Sequence, residues 1–238
     1  MKILLVNDDG FHTEGIDELE KILTKFGEVY MVAPKFPQSG KGCSFTSHLR
    51  ALPYREEDEH HIEVDGSPID CVNFAVAYFP FSFSLVVSGC NDGWNIAYDI
   101  LYSGTVGACI QAQILGLPSI AFSSHDSGFM TLKEHGFEIL ERIFAKKAYS
   151  PKYVINVNLP KKWESAKEMV ATIPFPRQSK YDGLFIHQEA KLYRENNDEC
   201  CKDERYDLCA LHQGKVSISY LRPNWGDVDL YPLCKKDW

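Results

Sequence analysis

The sequence predicts an α/β fold in which a mainly parallel sheet carries helices on both faces, with a C-terminal β-hairpin extension. Three observations point there. Short β-prone apolar runs recur through residues 1–160, segments with helical periodicity stand between them, and helix-starting and helix-stopping residues sit at the junctions. Such alternation gives parallel strands joined by crossover helices.

The first run, residues 2–6, stops at Asn7-Asp8-Asp9-Gly10, so it reads as a buried strand ending in a polar loop. A helix follows, with Thr13 as its cap, Ile16, Leu19, Ile22, Leu23 and Phe26 as its apolar face, and Gly27 as its stop. Residues 28–33 return as a strand closed by Pro34. The Gly-, Ser- and Lys-rich loop 35–47 is too long for a simple connector and is a functional candidate. Ser67, Pro68 and Asp70 signal a second helix through a capping box. Residues 84–87 form the next strand, ending at Ser88-Gly89-Cys90-Asn91-Asp92-Gly93. Helices at 105–115 and 132–148 alternate with strands at 119–122 and 153–157, which completes the alternation. After Lys161 the alternation fades. Residues 168–173, 184–193 and 215–220 read as hairpin strands, with an acidic linker at 195–207. The expected division is a core at 1–160 and a hairpin extension of the same domain at 161–238.

The 238 residues are 45% apolar, enough for a sizeable core, and carry a formal charge of −8. Residues 1–150 hold 11 basic against 20 acidic side chains, and the remainder 14 against 13. That balance argues against binding a nucleic-acid duplex or an anionic membrane. The longest apolar stretch, 75–87, is broken by Pro80, Ser82 and Ser84 and is too short to span a bilayer. The N-terminus lacks the pattern of a secretory signal, so a cytoplasmic protein is expected. The 8 cysteines include no CxxC pair. They read as reduced thiols, with Cys43, Cys71, Cys90 and Cys109 in or beside apolar segments and Cys200, Cys201, Cys209 and Cys234 clustered late.

In parallel sheets, ligands gather beyond the carboxyl ends of the strands. The clusters 7–10, 38–42 and 88–95 each follow an expected strand and can meet there. Two carboxylates about 4 Å apart repel by roughly 4 kcal/mol at an effective dielectric near 20. Asp8 and Asp9 therefore ask for a cation, although a capping aspartate with a solvated neighbour is the simpler reading of an Asp-Asp pair. With a Ser39 hydroxyl and an Asn91 amide oxygen they make an all-oxygen set suited to Mg²⁺, Mn²⁺ or Ca²⁺ and not to zinc. The segment Tyr102-Ser103-Gly104-Thr105-Val106 opens a helix with hydroxyls and a glycine, which can be an anion site or simply a capped helix. His12 lies beside the acidic pair as a loop residue.

Several chemistries fail on spacing. There is no GxxxxGK[ST] loop, no complete dinucleotide fingerprint around Gly40-Lys41-Gly42, and no GxSxG elbow. A covalent aspartyl-phosphate of the haloacid-dehalogenase type needs a second Asp two positions on, where Gly10 and Phe11 stand instead.

Asn7-Asp8-Asp9-Gly10, Ser39-Gly40, the run from Gly66 to Val72, Ser88-Gly89-Cys90-Asn91 and Tyr102 to Val106 resemble, in order and spacing, the SurE family of survival-protein nucleotidases. Asn156-Val157-Asn158-Leu159-Pro160 and the strand 216–220 extend the likeness across the chain. It implies a Rossmann-like core with a C-terminal extension often exchanged between subunits, hence a homodimer or homotetramer. It also implies hydrolysis of nucleoside monophosphates, 5′- and 3′-nucleotides, by a metal-activated water. The family's metal ligands carry over onto Asp8, Asp9, Ser39 and Asn91, holding one divalent cation per subunit, Mg²⁺ or Mn²⁺. Its phosphate side carries over onto Ser39, Gly40, Asn95, Ser103, Gly104 and Thr105, and its catalytic set onto Asp8, Asp9 and Asn95. Cys90 stands where the family usually has Ile, Asp92 where it has a small residue, and Gln111-Ala112 where it has Glu-Gly. Asp92 adds charge near the site. The rival reading is a Mg²⁺-binding, receiver-like signalling module, for which Asp92 is the candidate phospho-acceptor. Tyr220, Trp225, Tyr231 and Trp238, in a region without an obvious core of its own, point to an oligomer.

Overall fold

The computed structural model describes residues 1–46, 50–125, 127–163, 168–177, 179–186, 189–196 and 203–222. Cys200, Cys201, Trp225, Tyr231, Cys234 and Trp238 lie outside the described residues. The chain order is β1 (Lys2–Val6), α1 (Glu14–Leu23), β2 (Glu28–Pro34), β3 (Tyr54–Glu56), β4 (His61–Val64), α2 (Pro68–Tyr78) and β5 (Leu85–Asp92). It continues through α3 (Gly104–Ile114), β6 (Ser119–Ser124), α4 (Met130–Ala145), β7 (Val154–Asn158), β8 (Met169–Thr172), β9 (Ser179–Ile186), β10 (Glu189–Asn196), α5 (Asp207–His212) and β11 (Val216–Leu221). Short 3-10 turns precede α3 and α4.

Among the described residues nine strands form one sheet in the order β3-β4-β2-β1-β5-β6-β7-β11-β8. Strands β4, β2, β1, β5, β6 and β7 run parallel. Period-2 alternation divides the core between the two faces. Ile3 and Leu5 of β1 pack with Ile16, Leu19 and Leu23 of α1 and Leu132 and Ile139 of α4. Leu4 and Val6, their immediate neighbours, pack with Cys71, Val72 and Ala75 of α2 and Ala108 and Ala112 of α3. Helices therefore cover both faces, as expected.

One expectation for the C-terminal region is corrected. The segments at 168–173 and 215–220 are not hairpin strands: β11 runs antiparallel to β7, and β8 runs parallel to β11, both in the main sheet. Alternating apolar and polar residues mark a strand but not its partner. The hairpin is β9 with β10, paired from Ser179 with Asn196 to Ile186 with Glu189 as a separate two-stranded sheet. Between β10, which runs to Asn196, and α5, which starts at Asp207, the described residues 203–206 form neither helix nor strand, in keeping with the linker expected there. Strands β3 and β4, too short and charged to show in the sequence, extend the sheet beyond β2.

Not all the cysteines are thiols. Cys43, Cys71, Cys90 and Cys109 are in no disulfide, but Cys209 is disulfide-bonded. Among the described residues no helix is long and apolar enough to cross a membrane.

The capping box at α2 is present in full: Ser67 Oγ accepts from the Asp70 N–H, and Asp70 Oδ2 accepts from the Ser67 N–H at 2.8 Å. Asp70 also accepts from the backbone N–H and the hydroxyl of Thr46, both at 2.8 Å. The cap thus anchors the far end of the loop carrying Ser39. Ser67→Ala, which removes one cap bond, should lower stability by about 1 kcal/mol. Asp70→Ala, which strands three donors at a buried charged acceptor, should cost roughly 3 kcal/mol. Urea unfolding of both variants checks this; equal losses would mean the loop anchor carries no load.

Candidate active site

Strand register places the site. Val6 of β1 lies opposite Ser88 of β5, so the residues beyond each come level at the carboxyl edge of the sheet. Strand order reverses here, β2 lying on one side of β1 and β5 on the other, which is where ligands bind in such folds. Strand β5 does not stop at Val87, as the polar run after it suggested, but continues to Asp92. Ser88 pairs with Ala121 and Asn91 with Ser123, so β5 holds one extra residue between these pairs, a bulge that re-aims Asn91. The Asp92 N–H then donates to Asp9 Oδ2 at 3.1 Å, joining the two strand ends directly.

Asn7 builds the turn that follows β1. Its side chain donates to the Gly10 carbonyl at 2.8 Å and accepts from the Gly10 N–H at 3.2 Å. It also donates to Thr13 Oγ1 at 3.0 Å, which is why Thr13 precedes α1 without giving that helix a side-chain cap.

Asp8 is 4% exposed and sits under the first turn of α3. Thr105 Oγ1 donates to Asp8 Oδ1 at 2.6 Å, and the Thr105 backbone amide also donates to the carboxylate. A Cβ on Gly104 would lie 2.7 Å from Asp8 Cβ and 3.0 Å from Oδ2, so only glycine admits the carboxylate there. One turn on, a Cβ at Gly107 would lie 2.6 Å from the Gly42 carbonyl, so that glycine admits the Ser39 loop. The anion expected at this helix start is thus supplied by the protein itself. Ser103 is spent as the cap of α3, accepting from the Val106 N–H at 3.0 Å.

The remaining positions gather around this pair. Gln38 N–H donates to the Asp8 carbonyl at 2.7 Å, and Gly42 N–H donates to the Tyr102 carbonyl at 2.9 Å. These two bonds hold exposed Ser39 and Gly40 between β1 and α3. The Asn91 amide nitrogen donates to the Gly93 carbonyl at 2.7 Å, which leaves its amide oxygen as the available donor atom. Asn95 is 6% exposed and braced on every side. Its N–H donates to Asn158 Oδ1 at 2.8 Å, its Nδ2 donates to Ser123 Oγ at 2.8 Å, and its carbonyl accepts from Asn156 and Asn158. Ser123 and the two β7 asparagines were not singled out as site residues from the sequence. Their signal was there, since Asn156 and Asn158 put two polar side chains on one face of a buried strand. His12 turns away, with its ring nitrogens 3.2 Å from Asp17 and from Glu57.

Burial raises the Asp8 carboxyl to about 6, with the Thr105 hydroxyl opposing the rise and the Asp9 charge adding to it. Burial also raises Asp9, opposed by the Asp92 N–H and reinforced by the Asp92 charge. Among the described residues no cluster of three or more His, Cys, Asp or Glu is placed to hold a metal. The available set is instead two carboxylates with a hydroxyl and an amide oxygen. One Asp8 oxygen remains beyond its Thr105 bond, and crowded, desolvated carboxylates with neutral oxygen donors fit a hard cation.

The metal-free protein should carry a pH signature. The Asp8 value is near 6 when folded against 3.8 unfolded, so its charge opposes folding. Its stabilising share is complete below 3.8 and is lost as pH rises through about 6. The loss is roughly 3 kcal/mol at most. Asp8→Asn should flatten that decline in chelator-treated protein, seen as melting temperature against pH. Gly104→Ala should fold but displace Asp8, lowering stability by about 1–3 kcal/mol.

A family model described as Survival protein SurE matches residues 3–181. A protein named 5′-nucleotidase SurE from Clostridium beijerinckii is 32% identical over 95% of this chain and 95% of its own length. Another of that name, from Bradyrhizobium diazoefficiens, is 35% identical over 93% of each chain. The crystal structure of the Aquifex aeolicus SurE protein matches with a TM-score of 0.85 at 30% identity, covering 99% of this chain and 98% of that one. Sharing the family's sequence pattern through its core and the fold from end to end, the chain belongs to the SurE family of survival proteins.

Proposed function

We infer that this chain is a phosphomonoesterase of the 5′-nucleotidase type, acting on nucleoside monophosphates. The relatives named 5′-nucleotidase SurE support that reading. The observation that carries it to this chain is the buried Asp8, held by Thr105 beside Asp9 at the carboxyl edge of the sheet. A receiver-like signalling role is not favoured by family membership.

Asp8, Asp9, Ser39 and Asn91 are the proposed holders of one divalent cation, Mg²⁺ or Mn²⁺. When bound, such an ion supplies charge neutralisation for the phosphoryl group and activation of water. The protein's own groups do the rest. Thr105 and the α3 amides favour the ionised form of Asp8 against its burial and aim it, and the Asn91–Gly93 bond presents an amide oxygen. Ser39, the Gly40 backbone and the braced Asn95 amide are the proposed phosphate donors, with the first turn of α3 behind them. Within the phosphate-side set, Ser103 and Thr105 act through what they hold, as helix cap and as Asp8 partner. Asp8 or Asp9 takes the proton from the attacking water.

The region 161–238 is the proposed oligomerisation extension of the 1–160 core. The two-stranded sheet β9–β10 exposes Tyr181, Leu184 and Leu192, and an isolated hairpin is marginal in water unless something packs on it. A homodimer or homotetramer answers that need. A cytoplasmic setting suits the four cysteines in no disulfide among the described residues, whereas the Cys209 disulfide runs against it.

Phosphate release from a panel of 5′- and 3′-nucleotides, with Mg²⁺ and Mn²⁺ in parallel and a chelator control, tests the activity. Turnover should require the cation, and Asp9→Asn should reduce it at least a thousandfold while the protein stays folded. Full activity in Asp9→Asn would put the site elsewhere.

A further inference from the structure

A pocket of about 810 Å³ is lined in part by the chain segment that follows β5, and no step above uses it. Its walls include Trp94 and Ile96 after β5, Lys161 and Lys162 after β7, and Leu211 and His212 of α5. Pocket and site share one short stretch of chain. Gly93 lines the pocket and holds Asn91 through its carbonyl at 2.7 Å. Trp94 and Ile96, both in the wall, flank Asn95, whose own side chain bonds Ser123. The pocket wall and the two site asparagines thus alternate along residues 91–96.

The pocket is built. Ile96, Leu208 and Leu211 form a buried apolar cluster against which Trp94 packs. Asp207, fully buried at the start of α5, accepts from the Ala97, Phe175 and Leu208 N–H groups and so ties that helix to the Trp94 segment. The indole is fixed, its Nε1 donating to the Leu159 carbonyl at 2.6 Å. Two imidazoles stand around it, His125 at 5.2 Å and His212 at 6.2 Å between ring centroids. Asp99 in the wall is paired with Arg177 at 2.7 Å and with Arg194, so its charge is answered. Lys161 and Lys162 are exposed.

This volume is far larger than a phosphate needs and falls in the range of pockets for small organic ligands. An immobilised indole ringed by imidazoles, with an apolar floor and two exposed ammonium groups, suits a flat heteroaromatic ring joined to an anion. We propose that the pocket is the nucleoside subsite: the base of the substrate stacks on Trp94, and Lys161 and Lys162 donate to acceptors on the base edge or the sugar. This rests on the nucleotidase reading, and it names Trp94 as the residue that makes a nucleotide a better substrate than a base-free phosphate ester.

The test compares AMP with ribose 5-phosphate in Mn²⁺-loaded protein. In Trp94→Ala the ratio of kcat/KM for AMP to that for ribose 5-phosphate should fall about tenfold, mostly through KM for AMP. Trp94→Phe, which keeps a flat ring, should retain most of that ratio, and Lys162→Glu should raise KM for AMP. An unchanged ratio in Trp94→Ala, or equal losses on both substrates, overturns the proposal. A second readout does not need turnover: AMP should quench the indole fluorescence of wild type but not of Trp94→Phe, and ribose 5-phosphate should quench neither. If wild type hydrolyses neither ester, the nucleotidase reading fails and the fluorescence result decides the pocket alone. Identical quenching in wild type and Trp94→Phe overturns it.

Discussion

A carboxylate buried under a helix N-terminus organises this protein. Asp8 lies just beyond β1, at 4% exposure, so its side chain has almost no access to water. The first turn of α3 receives it with a hydroxyl, an amide and the positive end of the helix dipole. Those groups lower the cost of the charge, but burial still prevails and the carboxyl remains raised. Gly104 exists for the contact, since any side chain there would displace Asp8, and Gly107 repeats the device for the Ser39 loop. The loop in turn bonds the Asp8 carbonyl through Gln38 and reaches the α2 cap through Thr46. Removing Asp8 from its place would loosen β1, α3 and the Ser39 loop together.

What remains after those bonds is a surplus of negative charge and neutral oxygen at one point. Asp9 adds a second carboxylate, Asp92 brings a third charge close to it, and Asn91 turns an amide oxygen free. Such an arrangement is unfavourable unless a cation joins it, which is the physical support for the proposed metal site.

Much of this was legible in the sequence, and the parts that were not share a cause. Lys2–Val6 and the Ser67-Pro68-Asp70 cap were readable because local pattern and local chemistry agree there. The role of Gly104 was half legible: Ser-Gly-Thr announces a helix start, but that its anion is Asp8, 96 residues earlier in the chain, is a tertiary fact. Continuation of β5 through polar Ser88 and Asn91 depends on a bulge against β6, which no periodicity shows. The partners of β8 and β11 were hidden for the same reason, because alternation marks a strand without naming its neighbour. The Cys209 disulfide escaped because spacing alone does not reveal pairing. Trp94 was invisible as a wall because its pocket needs α5, a six-residue helix just after the acidic linker that no local pattern announced.

The central claim is that Asp8 and Asp9 are crowded together for a cation, and direct binding tests it best. Calorimetric titration of Mn²⁺ into chelator-stripped wild type and into Asp8→Asn, both shown to be folded, reads stoichiometry and affinity without any substrate. The account predicts one ion per chain in wild type and at least a hundredfold weaker binding in the variant. Equal binding by the two proteins, or none by wild type, would contradict it.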